Sequence, residues 1–322
     1  MAKRIKKISS LHNRIIKNKN FFRVLKPPFP KNMLIEITNA CNNKCVFCSN
    51  PKMTRKIHNM DKEFCFRILK EAYLLGTKEV GFYSTGEPLL IKNLSKYVAK
   101  AKAIGYKYTY ITTNGILATP NNIIPIIKSG LDSIKFSINA GNRKTYKEIH
   151  GTDNFFRVIS NLKFIADYRK KCKVPLKLYA SYIITRQNKK EIYVFEKLVA
   201  PLVDEIIFAN VENQGGHMIN KGMGDEPVNS IKKHCGMVFN RFHITAEGYL
   251  TICCVDFNNH LVVADLNNVS LRDAWNNDMF INMRRKHLDN TLEGTICYNC
   301  TIPIFKGASK FRFVREPLDR QE

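Results

Sequence analysis

Apolar residues along the chain follow two periods that alternate with one another. Short runs rich in β-branched and aromatic residues occur at Met33 to Thr38, Glu79 to Ser84, Lys107 to Thr112, Ser133 to Ile138, Lys177 to Ile184 and Glu205 to Ala209, and their length and content predict a strand over each. Apolar positions at helical spacing fill the intervals at about 61–75, 92–103, 121–128, 154–170 and 189–199, so the repeated unit is a strand followed by a helix. A helix after a strand carries the chain back across the sheet, and the next strand then runs parallel to the last. Six such strands are fewer than the eight of a closed barrel. The predicted fold class is α/β: a partial (β/α)6 TIM-like barrel, open at one side, with its site at the C-terminal ends of the strands.

The flanking segments have other patterns. Residues 4–25 place Ile5, Ile8, Leu11, Ile15, Phe22 and Leu25 near helical spacing among Lys and Arg, a basic amphipathic segment that packs on the following domain or rests on a membrane surface. The prolines at 27, 28 and 30 end it. Polar, Gly-rich residues 212–230 read as a linker loop. Beyond it, Arg241 to Thr245 and Tyr249 to Val255 flank Ala246-Glu247-Gly248, a hairpin signal, and Leu271 to Leu288 predicts one helix around the only tryptophan, Trp275. The expected division is an N-terminal segment (1–32), the barrel (33–211), a linker (212–234) and a small C-terminal unit (235–322).

Composition narrows the class. With 44% hydrophobic residues in 322, the chain has enough apolar material for a core, which excludes disorder over its whole length. It has no apolar stretch long enough to span a membrane and no signal-peptide core, so a cytoplasmic location is expected. The formal net charge is +25, and the first 31 residues hold ten Lys or Arg and no acidic residue. That surplus fits an anionic partner, or equally a chain simply rich in Lys, Asn and Ile.

Ten cysteines in such a chain point to metal or catalytic use rather than disulfides. Three fall in Cys41-Asn42-Asn43-Lys44-Cys45-Val46-Phe47-Cys48, just after the first predicted strand. Three thiolates can hold one face of a four-iron cube and leave one iron open for chemistry. Zinc prefers four ligands, and only His58 lies close enough in sequence to be a fourth. Four late cysteines, Cys235, Cys253, Cys297 and Cys300, can close around either zinc or an iron–sulfur cluster.

The CxxxCxxC loop after strand one, with Phe47 before its last cysteine, resembles the radical S-adenosylmethionine (SAM) enzymes. The resemblance implies that the open iron binds SAM and that an electron cleaves it to methionine and a 5′-deoxyadenosyl radical, which takes hydrogen from a substrate. It extends to the ends of later strands over 33 to about 210. Thr85-Gly86-Glu87-Pro88 resembles the family's GGEP turn at the SAM amino group, with Thr85 in place of the first Gly. Thr113-Asn114-Gly115 resembles its TNG turn. Ser137 and Asn139 resemble its polar pair at the ribose or carboxylate, and Arg186 follows strand five as an ion-pair candidate for SAM.

Cys235, twelve residues, Gly248, four residues and Cys253 resemble the start of the SPASM and twitch extensions. With no cysteine after Cys300, the shorter twitch form with one auxiliary 4Fe-4S cluster is the better match. The implied cofactors are therefore two 4Fe-4S clusters and SAM, with an electron donor such as flavodoxin or ferredoxin. Cys65, Cys172 and Cys254 are left without ligand roles; the first two are expected as buried small apolar residues. Cys253 and Cys254, as neighbours on a strand, should face opposite ways.

Two reactions suit that arrangement. An auxiliary cluster can accept the electron left on a substrate radical, turning an alcohol into a ketone; alternatively, a thiol such as Cys254 can return a hydrogen atom, giving epimerisation. Peptide modification is a third use of the subfamily, and the 32 residues before strand one are too few for a peptide-recognition domain. A small carbohydrate or cyclitol, phosphorylated or nucleotide-linked in keeping with the basic charge, is the leading substrate class. Glu212, His217 and Arg143 are candidate substrate groups because they lie in loops at the expected site face. The competing reading is a zinc-binding nucleic-acid protein, which six strand–helix units do not suit.

Overall fold

The computed structural model describes residues 23–212, 214–218 and 235–301. The basic segment expected over 4–25 lies almost wholly outside the described residues, as does most of the polar stretch after 218.

All six expected strands are present: β1 (Asn32–Ile35), β2 (Glu79–Gly81), β3 (Tyr108–Thr113), β4 (Ser133–Ser137), β5 (Lys177–Ile184) and β6 (Glu205–Asn210). Each pairs in parallel with the next. The expected helices appear as α1 (Lys62–Leu74), α2 (Leu94–Ile104), α3 (Pro120–Lys128), α5 (Phe155–Lys171) and α6 (Ile192–Val199). In α1, Asp61 accepts from Phe64 N at 2.7 Å and caps the first turn. Cys65, Ile68, Leu69 and Ala72 then fall on one face and are buried, each large apolar side chain contributing about 1.5–3 kcal/mol. The apolar period did not reveal α4 (Arg143–His150), whose buried face is Thr145, Tyr146, Ile149 and His150, largely polar or aromatic.

The C-terminal region continues the barrel sheet. β7 (Phe242–Ile244) runs parallel to β1, with Leu34 opposite His243. β8 (Tyr249–Thr251) and β9 (Val262–Asp265) follow antiparallel, so nine strands are ordered β6-β5-β4-β3-β2-β1-β7-β8-β9. The hairpin expectation holds, although β8 stops at Thr251, and β9 lacked a clear signal. After α7 (Met237–Asn240) and the hairpin, the single helix expected over 271–288 is two: α8 (Leu271–Trp275) and α9 (Asp278–Asp289). Asn277 breaks it by leaving the helix and accepting from Phe280 N at 2.8 Å, a side-chain N-cap. α10 (Ile296–Thr301) ends the described chain.

Strand alternation divides the side chains into two environments. Met33, Ile35, Ile111, Ile134, Phe136, Leu178 and Ala180 join the helices in the main core. Leu34, Tyr108, Tyr110 and Tyr179 instead cluster in the lumen, with Tyr83, Ile207 and Cys254 against them. On the opposite side, Arg284 is fully buried over the rings of Trp275 and Phe280 at 4.2 and 4.0 Å. It donates to Leu25 O, Val238 O and Trp275 O, tying the arm before β1 to α8 and α9. Among the described residues, no helix is long and apolar enough to cross a membrane.

Candidate active site

The first cysteine loop leaves the C-terminal end of β1 and is held by the end of α4. Lys44 N donates to His150 O at 3.0 Å and Val46 N to Ile149 O at 2.9 Å. Burial brings the His150 pKa down to about 4, so its ring is neutral. Its Nε2 donates to Ile138 O at 2.8 Å, which turns Nδ1 toward Cys45 Sγ and Asn43 Nδ2, both at 3.2 Å. Phe47 is buried against Ile149, Val211 and Met218, which packs the loop from the other side.

Cys41, Cys45 and Cys48 are close enough to perturb one another: burial first, then the charges of Cys48 and Cys41, raise the Cys45 pKa well above its usual value. Burial lifts Cys41 to about 11. Buried thiols of this kind ionise only when a cation offsets the cost, so the donor set fits an iron–sulfur cluster. His58 is exposed and does not complete a four-ligand zinc site. Cys41, Cys45 and Cys48 are the residues that would hold the cluster.

The turns expected to meet SAM converge on this loop. A Cβ at Gly86 would sit 2.3 Å from Thr38 O and 2.6 Å from Ala40 O, so only glycine allows this approach, and Glu87 N donates to Ala40 O at 2.8 Å. The Glu87 side chain works within the fold: it accepts from Thr113 Oγ1 at 2.7 Å, Leu89 N at 3.1 Å and Asn114 N at 2.7 Å. Burial, opposed by these bonds, raises its pKa to about 7. Pro88 is buried and opens the turn that follows. Asn114 donates to Asn42 Oδ1 at 2.7 Å, joining the third strand end to the cysteine loop. Asn139 has φ 54° and accepts from Ile183 N at 2.8 Å, while Ser137 lies 3.4 Å from Ser181 Oγ. Arg186 is exposed beyond β5.

One group at the mouth gave no sequence signal. Arg55, nearly buried, donates to both Glu36 oxygens at 3.0 Å, to Glu247 at 2.8 and 3.0 Å, and to Phe257 O at 2.8 Å. Thr85 Oγ1 bonds Glu36 as well. Arg55 therefore links β1, the Thr85 turn and the β7–β8 hairpin. Only the alternation of Asn32, Leu34 and Glu36 along β1 and just past its end would have pointed to Glu36.

The later cysteines also converge. The Cys253 thiol bonds to Cys254, and burial with the charges of Cys297 and Cys235 adds to its raised pKa. Burial, Cys235 and Cys300 raise Cys297 likewise. Cys253 and Cys254 lie in the turn after β8 rather than on the strand, yet they do enter different clusters: Cys253 packs on the main core, and Cys254 on the lumen tyrosines. A bond from the Cys253 thiol, with His243 and Arg241 nearby, holds the Cys254 pKa well below its usual value against burial. Cys65 is buried as expected, but Cys172 is exposed because it stands at the end of α5, where the helix leaves the core.

The other substrate candidates are not drawn into the lumen. Arg143 is exposed and bidentate on Asp153 at 2.7 and 2.8 Å, an ion pair at the start of α4. Glu212 is exposed. His217 stacks on His260 with ring centroids 6.1 Å apart. The same segment holds Gln214, whose amide donates to Phe47 O at 2.8 Å and accepts from Ser49 N and Oγ at 3.0 and 2.8 Å.

Comparison with known proteins agrees with this geometry. The family model described as the Radical SAM superfamily matches residues 35–198, and the one described as an iron–sulfur cluster-binding domain, SPASM, matches 235–301. Probable GTP 3′,8-cyclases of Saccharolobus islandicus (strain M.14.25) and Saccharolobus solfataricus are 33% and 34% identical over 177 and 178 residues, 55% of each chain. The chain thus spans about half the length of these curated relatives. Among solved structures, BtrN in complex with AdoMet and 2-DOIA shares the fold at TM-score 0.58 and 19% identity, covering 88% of this chain and 97% of BtrN. Streptococcus suis SuiB bound to precursor peptide SuiA does so at 0.65 and 18%, covering 80% and 67%. Native anSMEcpe with bound AdoMet and a peptide does so at 0.57 and 14%, covering 88% and 93%.

Proposed function

The chain belongs to the radical SAM superfamily, and from that premise we propose that it oxidises an alcohol of a small carbohydrate or cyclitol to a ketone. Its cofactors are SAM and iron–sulfur clusters in the barrel and in the C-terminal region. Bound there, they supply a 5′-deoxyadenosyl radical that removes one hydrogen atom and an acceptor for the second electron, while the hydroxyl proton leaves to a base.

The observation that carries this reading is the lumen between the two cysteine sets. Its inward positions supply hydroxyls from Tyr83, Thr112, Ser137, Tyr179 and Ser181, which suit a polyhydroxylated ligand better than an apolar one. The first cysteine loop stands over its mouth, and Cys254, beside Cys253, packs directly on its wall. Gly86 and Asn114 hold the strand ends against the cysteine loop, and Phe47 shields it from solvent on the side of α4. The related GTP 3′,8-cyclases add weight to a phosphorylated or nucleotide-linked substrate, and an external flavodoxin or ferredoxin is the proposed electron source.

The position of Cys254 favours epimerisation as the second reading, because a thiol on the lumen wall can give back a hydrogen atom. The test is anaerobic reaction of the reconstituted protein with SAM, reductant and a panel of C-deuterated sugars and cyclitols. Oxidation predicts deuterium in 5′-deoxyadenosine and a ketone trapped by hydrazine. A recovered epimer whose carbon deuterium has been replaced by solvent hydrogen, abolished by Cys254→Ala, would replace oxidation with epimerisation.

A further inference from the structure

The lumen contains a positive floor that none of the expected site residues explains. Lys135 occupies an inward position on β4, level with Thr112 on β3 and Tyr179 on β5. Two residues deeper than Ser137, it lies roughly 7 Å below the strand-end groups assigned to SAM. Its ammonium is 6.0 Å from the Tyr83 ring centroid. Among the described residues, no carboxylate comes within ion-pair distance of it. A half-buried lysine turned inward is costly unless something anionic meets it.

A second observation stands on β7, across the lumen floor. Arg241 and His243 are 7% and 1% exposed; Arg241 Nη2 has no hydrogen-bond partner among the described residues, whereas His243 bonds to the Cys254 thiol. His243 is level with Leu34 and, through Gly81 and Tyr110, with Ser133, two residues deeper than Lys135. Glu79, whose charge acts on Arg241, also accepts from Asn32 Nδ2 at 3.1 Å. A buried cationic atom without a partner marks where a ligand can supply one.

We infer that Lys135, with the Arg241 charge deeper in the lumen behind it, binds a negatively charged group of the substrate, a phosphate or a carboxylate, below the strand ends. The inference rests on the lumen's being the substrate site of the proposed oxidation. It sets the orientation: the charged end points down to Lys135, and the carbon that loses hydrogen points up toward the cysteine mouth. It also makes a neutral sugar or a cationic aminocyclitol a poor ligand. A lysine's mobile point charge, unlike the fixed fork of an arginine, accepts either anion.

The test needs no radical chemistry, so its outcome is separable from that of the oxidation assay. Anaerobic equilibrium dialysis of the reconstituted holoprotein with SAM would measure binding of radiolabelled inorganic pyrophosphate and of oxalate at fixed ionic strength. The expected result is one tight site per chain, weakened about ten- to a hundredfold in Lys135→Met, restored in part by Lys135→Arg and unchanged in the surface control Lys177→Met. Preference for pyrophosphate assigns a phosphate, and preference for oxalate a carboxylate. Trace acetylation read by mass spectrometry provides the second measurement, with Lys135 protected by the preferred anion and Lys177 not. Equal binding by Lys135→Met and the parent, or Lys135 acetylation that ignores both anions, overturns the inference; iron content and circular dichroism establish that the variant is folded.

Discussion

Gly86 and Glu87 show how single residues build the mouth of the barrel. The Thr85–Pro88 segment was readable as a turn at the SAM end of the barrel, but spacing alone could not tell that Glu87 spends its carboxylate on Thr113, Leu89 and Asn114. That role depends on contacts between strands far apart in sequence. A methyl group at Gly86 meets two backbone carbonyls, which cannot move without shifting the cysteine loop. Gly86→Ala should therefore cost about 3 kcal/mol and weaken SAM binding more than tenfold, as measured by equilibrium dialysis. Glu87 gives a pH signature. Below pH 4.5 its carboxyl is neutral in both folded and unfolded chains. Between 4.5 and about 7 the unfolded chain ionises first, so stability falls as pH rises. Above about 7 a cost of about 3 kcal/mol remains. Denaturant unfolding at equal iron content should show Glu87→Gln gaining on the parent by this slope as pH rises over the range, because the opposite slope of His150, whose pKa is lowered to about 4, is common to both.

At the scale of elements, the strand–helix alternation was legible because strands buried against helices carry apolar runs of their own. Two features were not. The pairing of β7 with β1 joins residues more than 200 apart, and nothing in either short strand names its partner. The stretch after β6 looks like a polar linker, yet Gln214–Gly216 forms a 3-10 turn against both cysteine sets. Gln214 holds Phe47 and Ser49 of the first loop, while Gly215, at φ 71°, would carry a Cβ only 2.4 Å from Ile296 Cγ1, next to Cys297. The turn is thus a strut from the barrel mouth to α10. Gly215→Val should push α10 away and lower iron per chain from about eight to about four. Cys41→Ala/Cys45→Ala/Cys48→Ala should also leave about four. The two fours are distinguished by SAM binding, which Gly215→Val keeps and the triple variant loses.

Across the whole molecule, two separate sets of cysteines, one in the barrel and one in the C-terminal region, were legible because thiol spacing is local. The device that joins the two regions was not, because it is made of charges from three separate segments. Arg55 is the cation shared by Glu36, just after β1, and Glu247 of the hairpin, with side-chain exposures of 3%, 2% and 12%. Removing one member of such a set leaves the others charged and desolvated, a loss of about 3–5 kcal/mol. Arg55→Met should therefore lower stability by about that amount in denaturant unfolding. If the arginine chiefly clasps the C-terminal hairpin to the barrel, Glu247→Gln should cost much less on its own. Adding it to Arg55→Met should recover part of the loss, since one stranded carboxylate is then neutral. Strict additivity of the two changes, or a loss below about 1 kcal/mol for Arg55→Met, would show that β1–β7 pairing alone holds the regions together.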